Sequence, residues 1–258
     1  MNTVIFHSTI FGPIHSRRLG VSLGVNLMPA DGKICSFDCL YCEAGYNAQG
    51  PGKAGIPSVQ SVVQDLEKKL SDMKSKNEPL DVITFSGNGE PTLHPEFPRV
   101  VDEVIRLRNK YYPEAKISVL SNSTRIFDPQ VVSALKRVDN NILKLDSAIE
   151  STMQLIDRPN SPGFSVKKVV EALKQFEGQA IIQTMMLRGE HNGVGIDNTT
   201  PEETDALIAA YKEIKPREVM LYSIDRATPE EHLQKVSHEE LMKIAGKVRD
   251  AGINVMSF

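Results

Sequence analysis

Outside one short stretch, this chain has no cysteine. Three of its 258 residues are cysteine, and all three fall in KICSFDCLYCEAG, residues 33–45, at Cys35, Cys39 and Cys42. An odd count excludes a complete disulfide framework, because one thiol is always left over. No run of about 18 apolar residues occurs, which excludes a conventional membrane-spanning helix. The first residues, MNTVIFHSTIFGPIHSRRLG, lack a long apolar core followed by a small-residue cleavage site, so no signal peptide is expected. The expected location is therefore cytoplasmic. There thiols stay reduced, and clustered cysteines serve metals or catalysis more often than disulfides. Positive charge is not in excess either: 30 Lys and Arg face 33 Asp and Glu, for a net charge of −3. That excludes a protein that simply coats nucleic acid and leaves room for a local basic patch. Internal repeats beyond one recurring unit, and low-complexity tracts, are also missing.

The recurring unit is a strand followed by a helix. Strands are read at VSLGVNLMP (21–29), DVITFSG (81–87), KISVLSN (116–122), NILKLDS (141–147), QAIIQTMML (179–187) and REVMLYSIDR (217–226), with INVMSF as a closing strand. Helices are read at 61–74, 97–111, 129–138, 165–176, 200–214 and 237–252. Pro129 and Pro201 suit first-turn positions, Ser165 and Thr200 suit caps, and Glu203 sits where a capping box would place it. Strands alternating with helices predict a parallel sheet with helices outside. Six units without a domain-sized gap predict an α/β fold, a partial (β/α)6 TIM-like barrel. The expected organisation is one domain over residues 1–258, with 1–20 as an N-terminal extension. In parallel barrels the chemistry sits at the C-terminal strand ends. Polar residues gather there: the cysteine loop, Gly87-Asn88-Gly89-Glu90, Ser121-Asn122, Asp146 and Asp225-Arg226. Residues 44–58 and 187–200 read as loops, the second of them mobile.

Three thiols admit more than one occupant. Structural zinc wants four ligands, and six histidines are available to complete the set, though none at a recognisable spacing. A cuboidal [4Fe-4S] cluster is usually held by four thiolates, so three leave one iron open to a small molecule.

The C-x3-C-x2-C spacing with Tyr41 before the last cysteine resembles the signature of the radical S-adenosylmethionine (SAM) superfamily. TFSGNGEPTLHPEF (84–97) is similar to that family's Gly-Gly-Glu segment, with Asn88 in the middle place. The resemblance continues through LSNST (120–124), KLDS (144–147), Arg158-Pro159, IIQTMM (181–186) and YSIDR (222–226), and so spans nearly the whole chain. It is nearest to the iron–sulfur oxidoreductases related to wyosine-base-forming enzymes, and FGPIHSRRLGVSLGVNLMP (11–29) resembles that subgroup too. What the resemblance implies is a [4Fe-4S] cluster on Cys35, Cys39 and Cys42, with SAM at the open iron. Reductive cleavage of SAM would then give a 5′-deoxyadenosyl radical that takes hydrogen from a substrate. A flavodoxin or ferredoxin would supply the electron.

Each remaining candidate has a functional and a plain reading. Gly87, Asn88, Gly89 and Glu90 are SAM contacts or a glycine turn. Lys144 and Asp146 share a face of one strand and hold ribose hydroxyls or form a buried ion pair. Tyr41, Ser121, Asn122 and Gln183 complete the candidate SAM set. Arg17, Arg18, Arg158, Tyr222 and Arg226 are candidates for an anionic substrate. Arg106, Arg108 and Lys110 read as a solvated helix face. His7, His15 and His94 read as structural. The substrate itself stays open among a small molecule, a protein and an RNA. A lack of further cysteines disfavours a second cluster. The alternatives are an activase of a glycyl-radical enzyme, or a non-enzymatic metal or cluster scaffold or redox sensor.

Overall fold

The computed structural model describes residues 4–16 and 18–258, so the candidate Arg17 lies outside the described residues. The first half runs β1 Ile10–Ser16, β2 Gly20–Val25, α1 Val59–Ser75, β3 Val82–Phe85, α2 Phe97–Tyr111, β4 Lys116–Ser121, α3 Pro129–Arg137 and β5 Asn140–Lys144. The second half runs α4 Glu150–Asp157, α5 Val166–Leu173, β6 Ile181–His191, β7 Val194–Asp197, α6 Pro201–Ile214, β8 Glu218–Ser223, β9 Leu233–Lys235, α7 His238–Asp250 and β10 Val255–Ser257.

Strands β2, β3, β4, β5, β6, β8 and β10 lie side by side in that order, all parallel. β1 joins antiparallel at the free edge of β2. The outer strands β1 and β10 do not pair with each other, so the fold is an α/β partial barrel of six strand–helix units. Successive side chains on a strand face opposite ways. One set, including Ile83, Phe85, Val119, Leu143 and Leu221, packs under the helices in the main core. The other set faces inward. Ile142, Ile181 and Met220 form a small apolar floor with Leu19, Leu120 and Phe258. Phe37, Leu40, Tyr41, Met185 and Leu187 form a second apolar layer, against which Cys35 and Cys42 pack.

Helix starts follow local chemistry. Ser58, Asp128, Ser165, Thr200 and Ser237 each accept a backbone N–H of the first turn. Glu203 departs from the expected box: its buried carboxylate accepts from Ser147 Oγ at 2.6 Å. Three elements differ from the sequence reading. Residues 10–16 form a strand, at an edge where Pro13 is tolerated. Glu150–Asp157 is a helix. The expected mobile loop after 187 is instead ordered: β6 continues to His191 and pairs antiparallel with both β7 and β9.

Candidate functional site

The cysteine loop follows β2 and is fixed from three sides. On the first, β3 ends in Gly87 and Gly89, with φ of 133° and 135°. A Cβ on Gly89 would strike the Ile34 backbone, and the close approach lets Glu90 N–H donate to Ile34 O at 3.0 Å. On the second, the end of α4 offers its free carbonyls. Leu40 N–H donates to Ile156 O at 3.0 Å, Asp38 N–H to Asp157 O at 3.0 Å, and Asn160 N–H to Ser36 O at 2.9 Å. On the third, Asn122 after β4 donates from Nδ2 to Ser36 Oγ at 3.0 Å and to Cys35 Sγ at 3.5 Å. Within the loop, the buried Lys33 Nζ donates to Gly45 O at 2.6 Å, and Asp38 accepts from Asn47 N–H at 2.6 Å.

Asn88 explains its own departure from glycine. Its side chain is fully buried. Nδ2 donates to Phe6 O at 2.9 Å and Pro29 O at 2.8 Å, while Oδ1 accepts from Phe6 N–H at 2.8 Å. The amide therefore ties the N-terminal segment to the cysteine loop. Glu90 is also a loop-former. It accepts from Thr92 N–H at 3.0 Å and Asn122 N–H at 2.6 Å, and burial raises its pKa.

Lys144 and Asp146 are an ion pair at 3.0 Å, and Tyr41 OH hydrogen-bonds both. Asp146 is fully buried, and its second oxygen accepts Met185 N–H at 2.8 Å. Lys144 also lies 3.8 Å from Asp157 and 4.5 Å from the centre of the Tyr41 ring. Burial works to lower the Lys144 pKa, but Asp146, Cys39 and Asp157 outweigh it and hold the amine cationic. Cys39 Sγ donates to Asp157 Oδ1 at 3.4 Å. Burial is the main reason the Cys35 thiol is pushed up to about 11 and the Cys39 thiol well above its ordinary value.

A cavity of ≈ 370 Å³ opens beside the loop, inside the curve of the sheet. Tyr41, Cys42, Gly87, Arg18, Tyr222 and Arg226 line it, so six of the sequence candidates meet there. Ser121, Asn122, Lys144, Asp146 and Gln183 lie outside its lining. Asn122 sits against the sulfur of Cys35, and Gln183 is an inward-facing residue of β6. Arg158 is placed apart, over the Tyr46 ring at 5.2 Å and 3.5 Å from Asp38. Sequence reasoning did not single out Lys33, Asp38, Asn47, Asp157 or Asn160. Lys33 and Asn47 act within the folded loop itself, while Asp38, Asp157 and Asn160 depend on partners more than 100 residues away.

All three cysteines are free. Among the described residues, no three His, Cys, Asp or Glu side chains converge on a position for one ion. A closed zinc site requires such convergence. A cuboidal cluster has several irons for several thiolates, and its sulfurs are tuned by hydrogen bonds of the kind Asn122 makes. Three thiols, one of them bearing an N–H on its sulfur, are a donor set that fits a cuboidal cluster.

A sequence model of the Radical SAM superfamily matches residues 31–210. A UPF0026 protein of Synechocystis is 31% identical over 235 residues, covering 89% of this chain and 79% of that protein. A GTPase Obg of Brachyspira hyodysenteriae is 30% identical over 238 residues, covering 91% of this chain but 32% of that protein, so the chain spans about a third of this relative. The phosphate-binding pattern G-x-x-x-x-G-K-[ST] does not occur in the present sequence. Among solved structures, a radical SAM methyltransferase from Sphaerobacter thermophilus superposes with a TM-score of 0.65 at 13% identity, over 92% of this chain and 65% of that one. Streptococcus suis SuiB bound to S-adenosylmethionine gives 0.64 at 15%, over 91% and 50%. TYW1 with a lysine–pyruvate adduct gives 0.58 at 16%, over 89% and 73%. At these identities the likeness is one of fold.

Proposed function

This chain belongs to the radical SAM superfamily and to the UPF0026 proteins, and on that premise we propose that it is an enzyme abstracting hydrogen from a small substrate in the cavity beside Cys42. The superfamily consists of enzymes whose cofactors are a [4Fe-4S] cluster and S-adenosylmethionine. Bound together, the two supply reductive cleavage of SAM to a 5′-deoxyadenosyl radical. The observation that carries the reading is the meeting of Cys42, Tyr41 and Gly87 on one cavity wall.

In this reading Cys35, Cys39 and Cys42 hold the cluster. Asn122 steadies the Cys35 sulfur through its N–H. Gly87 leaves space and bare backbone where a ligand's polar groups approach. Tyr41, anchored by Lys144 and Asp146, is a fixed wall rather than a mobile one. Asn88 and Glu90 act at one remove by holding the loop. Residues 1–258 act as one domain in the cytoplasm, with a flavodoxin or ferredoxin as electron donor.

The test is anaerobic reconstitution followed by iron, sulfide and zinc analysis, then SAM and dithionite with assay of 5′-deoxyadenosine. About four irons and four sulfides per chain, with cleavage lost in Cys39→Ala, are expected. Zinc without sulfide, or a loaded cluster that never cleaves SAM, would leave a scaffold or redox sensor.

A further inference from the structure

Among the described residues, charged groups on the cavity wall are matched in pairs, with one exception. Arg226 lies 2.6 Å from Glu43, and Asp225 lies 3.2 Å from Lys235. Arg18 has neither a carboxylate partner nor a side-chain hydrogen bond among the described residues. Its guanidinium lies over the Tyr222 ring, 4.8 Å from the centroid. Tyr222 follows Leu221 in β8 and packs against the apolar layer that carries the cysteines, so the platform is rigid. Stacking satisfies the face of a guanidinium and leaves its rim of N–H donors unspent. That rim matches the planar or tetrahedral oxygens of an oxyanion, which it can bind through two parallel hydrogen bonds. The turn bearing Arg18 is itself fixed, since Ser16 Oγ accepts the N–H groups of Arg18 and Leu19 at 3.3 and 3.2 Å.

We propose that Arg18, stacked on Tyr222, is the recognition point for an oxyanion carried by the substrate, a carboxylate or a phosphate. The proposal rests on the reading that this cavity receives the substrate. It narrows the substrate class to compact anionic molecules, with the anionic end at Arg18 and the reacting carbon toward Cys42. An uncharged substrate would leave the arginine uncompensated against an apolar wall.

The experiment is calorimetric titration of the full, anaerobically reconstituted chain, saturated with SAM, using acetate and inorganic phosphate as separate probes. Saturable binding of at least one probe to the wild type is expected, with Kd raised about tenfold or more in Arg18→Gln, the loss of one charge-assisted contact. The tighter probe assigns the oxyanion. Tyr222→Leu keeps the charge and removes the platform, and it should weaken the same probe. Circular dichroism confirms that each variant is folded before its Kd is compared with that of the wild type. Equal probe affinity in wild type and variant would overturn the proposal, as would failure of both probes to bind the wild type. An Arg18→Gln variant that loses SAM affinity and keeps probe affinity would also overturn it, by assigning the arginine to the carboxylate of SAM. Wild-type SAM cleavage is measured separately. Its failure would sink the enzymatic reading while leaving the anion site standing.

Discussion

Replacing Lys144 by Met removes a cation from a group of buried acids and is the sharpest stability test the structure offers. The Lys144 side chain is 15% exposed, while Asp146 and Asp157 are 0% and 2% exposed. The ammonium lies 3.0 Å from one carboxylate and 3.8 Å from the other, and it stands over the Tyr41 ring. Its loss strands Asp146, which has no access to water. Breaking a buried pair by removing one partner costs about 3–5 kcal/mol. For a chain of this size, each kcal/mol moves Tm by about 2–4 °C, so a fall of order 10 °C is expected. The assay is thermal and urea denaturation of the cluster-free protein, each followed by far-ultraviolet circular dichroism. The double variant Lys144→Met/Asp146→Asn removes the stranded charge as well and should recover at least half of the loss. Two results would refute the reasoning. One is a Lys144→Met variant within about 1 kcal/mol of wild type. The other is a double variant whose loss equals the sum of the single losses, since coupled neighbours are not additive.

Asn88→Gly restores the family's commoner residue but leaves Phe6 N–H, Phe6 O and Pro29 O without their partner. It should lower stability by about 2–4 kcal/mol in urea titration, because unmade buried hydrogen bonds are costly. Gly87→Ala would place a Cβ 2.6 Å from Asn26 Oδ1 at a φ of 133°, so iron loading after reconstitution should fall severalfold. Tyr211 titrates far above its ordinary value because it is buried, and burial with the Glu230 charge pushes Tyr46 up to about 12. Unfolded tyrosine ionises near 10. The folded state therefore holds these protons longer than the unfolded state does. Stability from them is complete below pH ~10 and is lost as pH rises toward the folded values. Tyr211 alone contributes a slope of about 1.4 kcal/mol per pH unit in that window. Phenolate absorbance at 295 nm should then rise in step with loss of circular dichroism. A rise completed while the fold is intact would contradict the burial of Tyr211.

Much of this architecture was legible because its signals are periodic and local. The helix at 97–111 is bounded by Pro98 and a strongly two-faced pattern, and its limits agree with the sequence reading. The strand ends were legible because apolar runs stop at polar residues there. What was illegible depends on distant partners. α4 follows Ile149, which offers no side-chain cap, so no capping residue announces it. Residues 188–197 look like a loop because they are polar and glycine-rich. They are strands because β6 and β7 pair as a hairpin, and because β9 returns from residues 233–235 to pair with β6 on its other edge. The three cysteines, Tyr41 and Gly87 carried their own spacing signal. Asp157 and Asn160 could not, since a carboxylate and an amide are informative only once α4 is seen to end against the cysteine loop. Asn88 was legible as an irregularity, and its explanation required the path of residue 6.

The cysteine loop is held by backbone contacts to Ile34, Asp38 and Leu40, and those contacts need no metal. In a zinc finger the ion is the keystone, and the chain collapses without it. Here the joints of the arch are peptide hydrogen bonds to the turn after β3 and to the end of α4. The path of the loop is thereby written in its peptide groups, not in its sulfurs: each thiol is carried on backbone that is pinned by neighbours elsewhere in the fold.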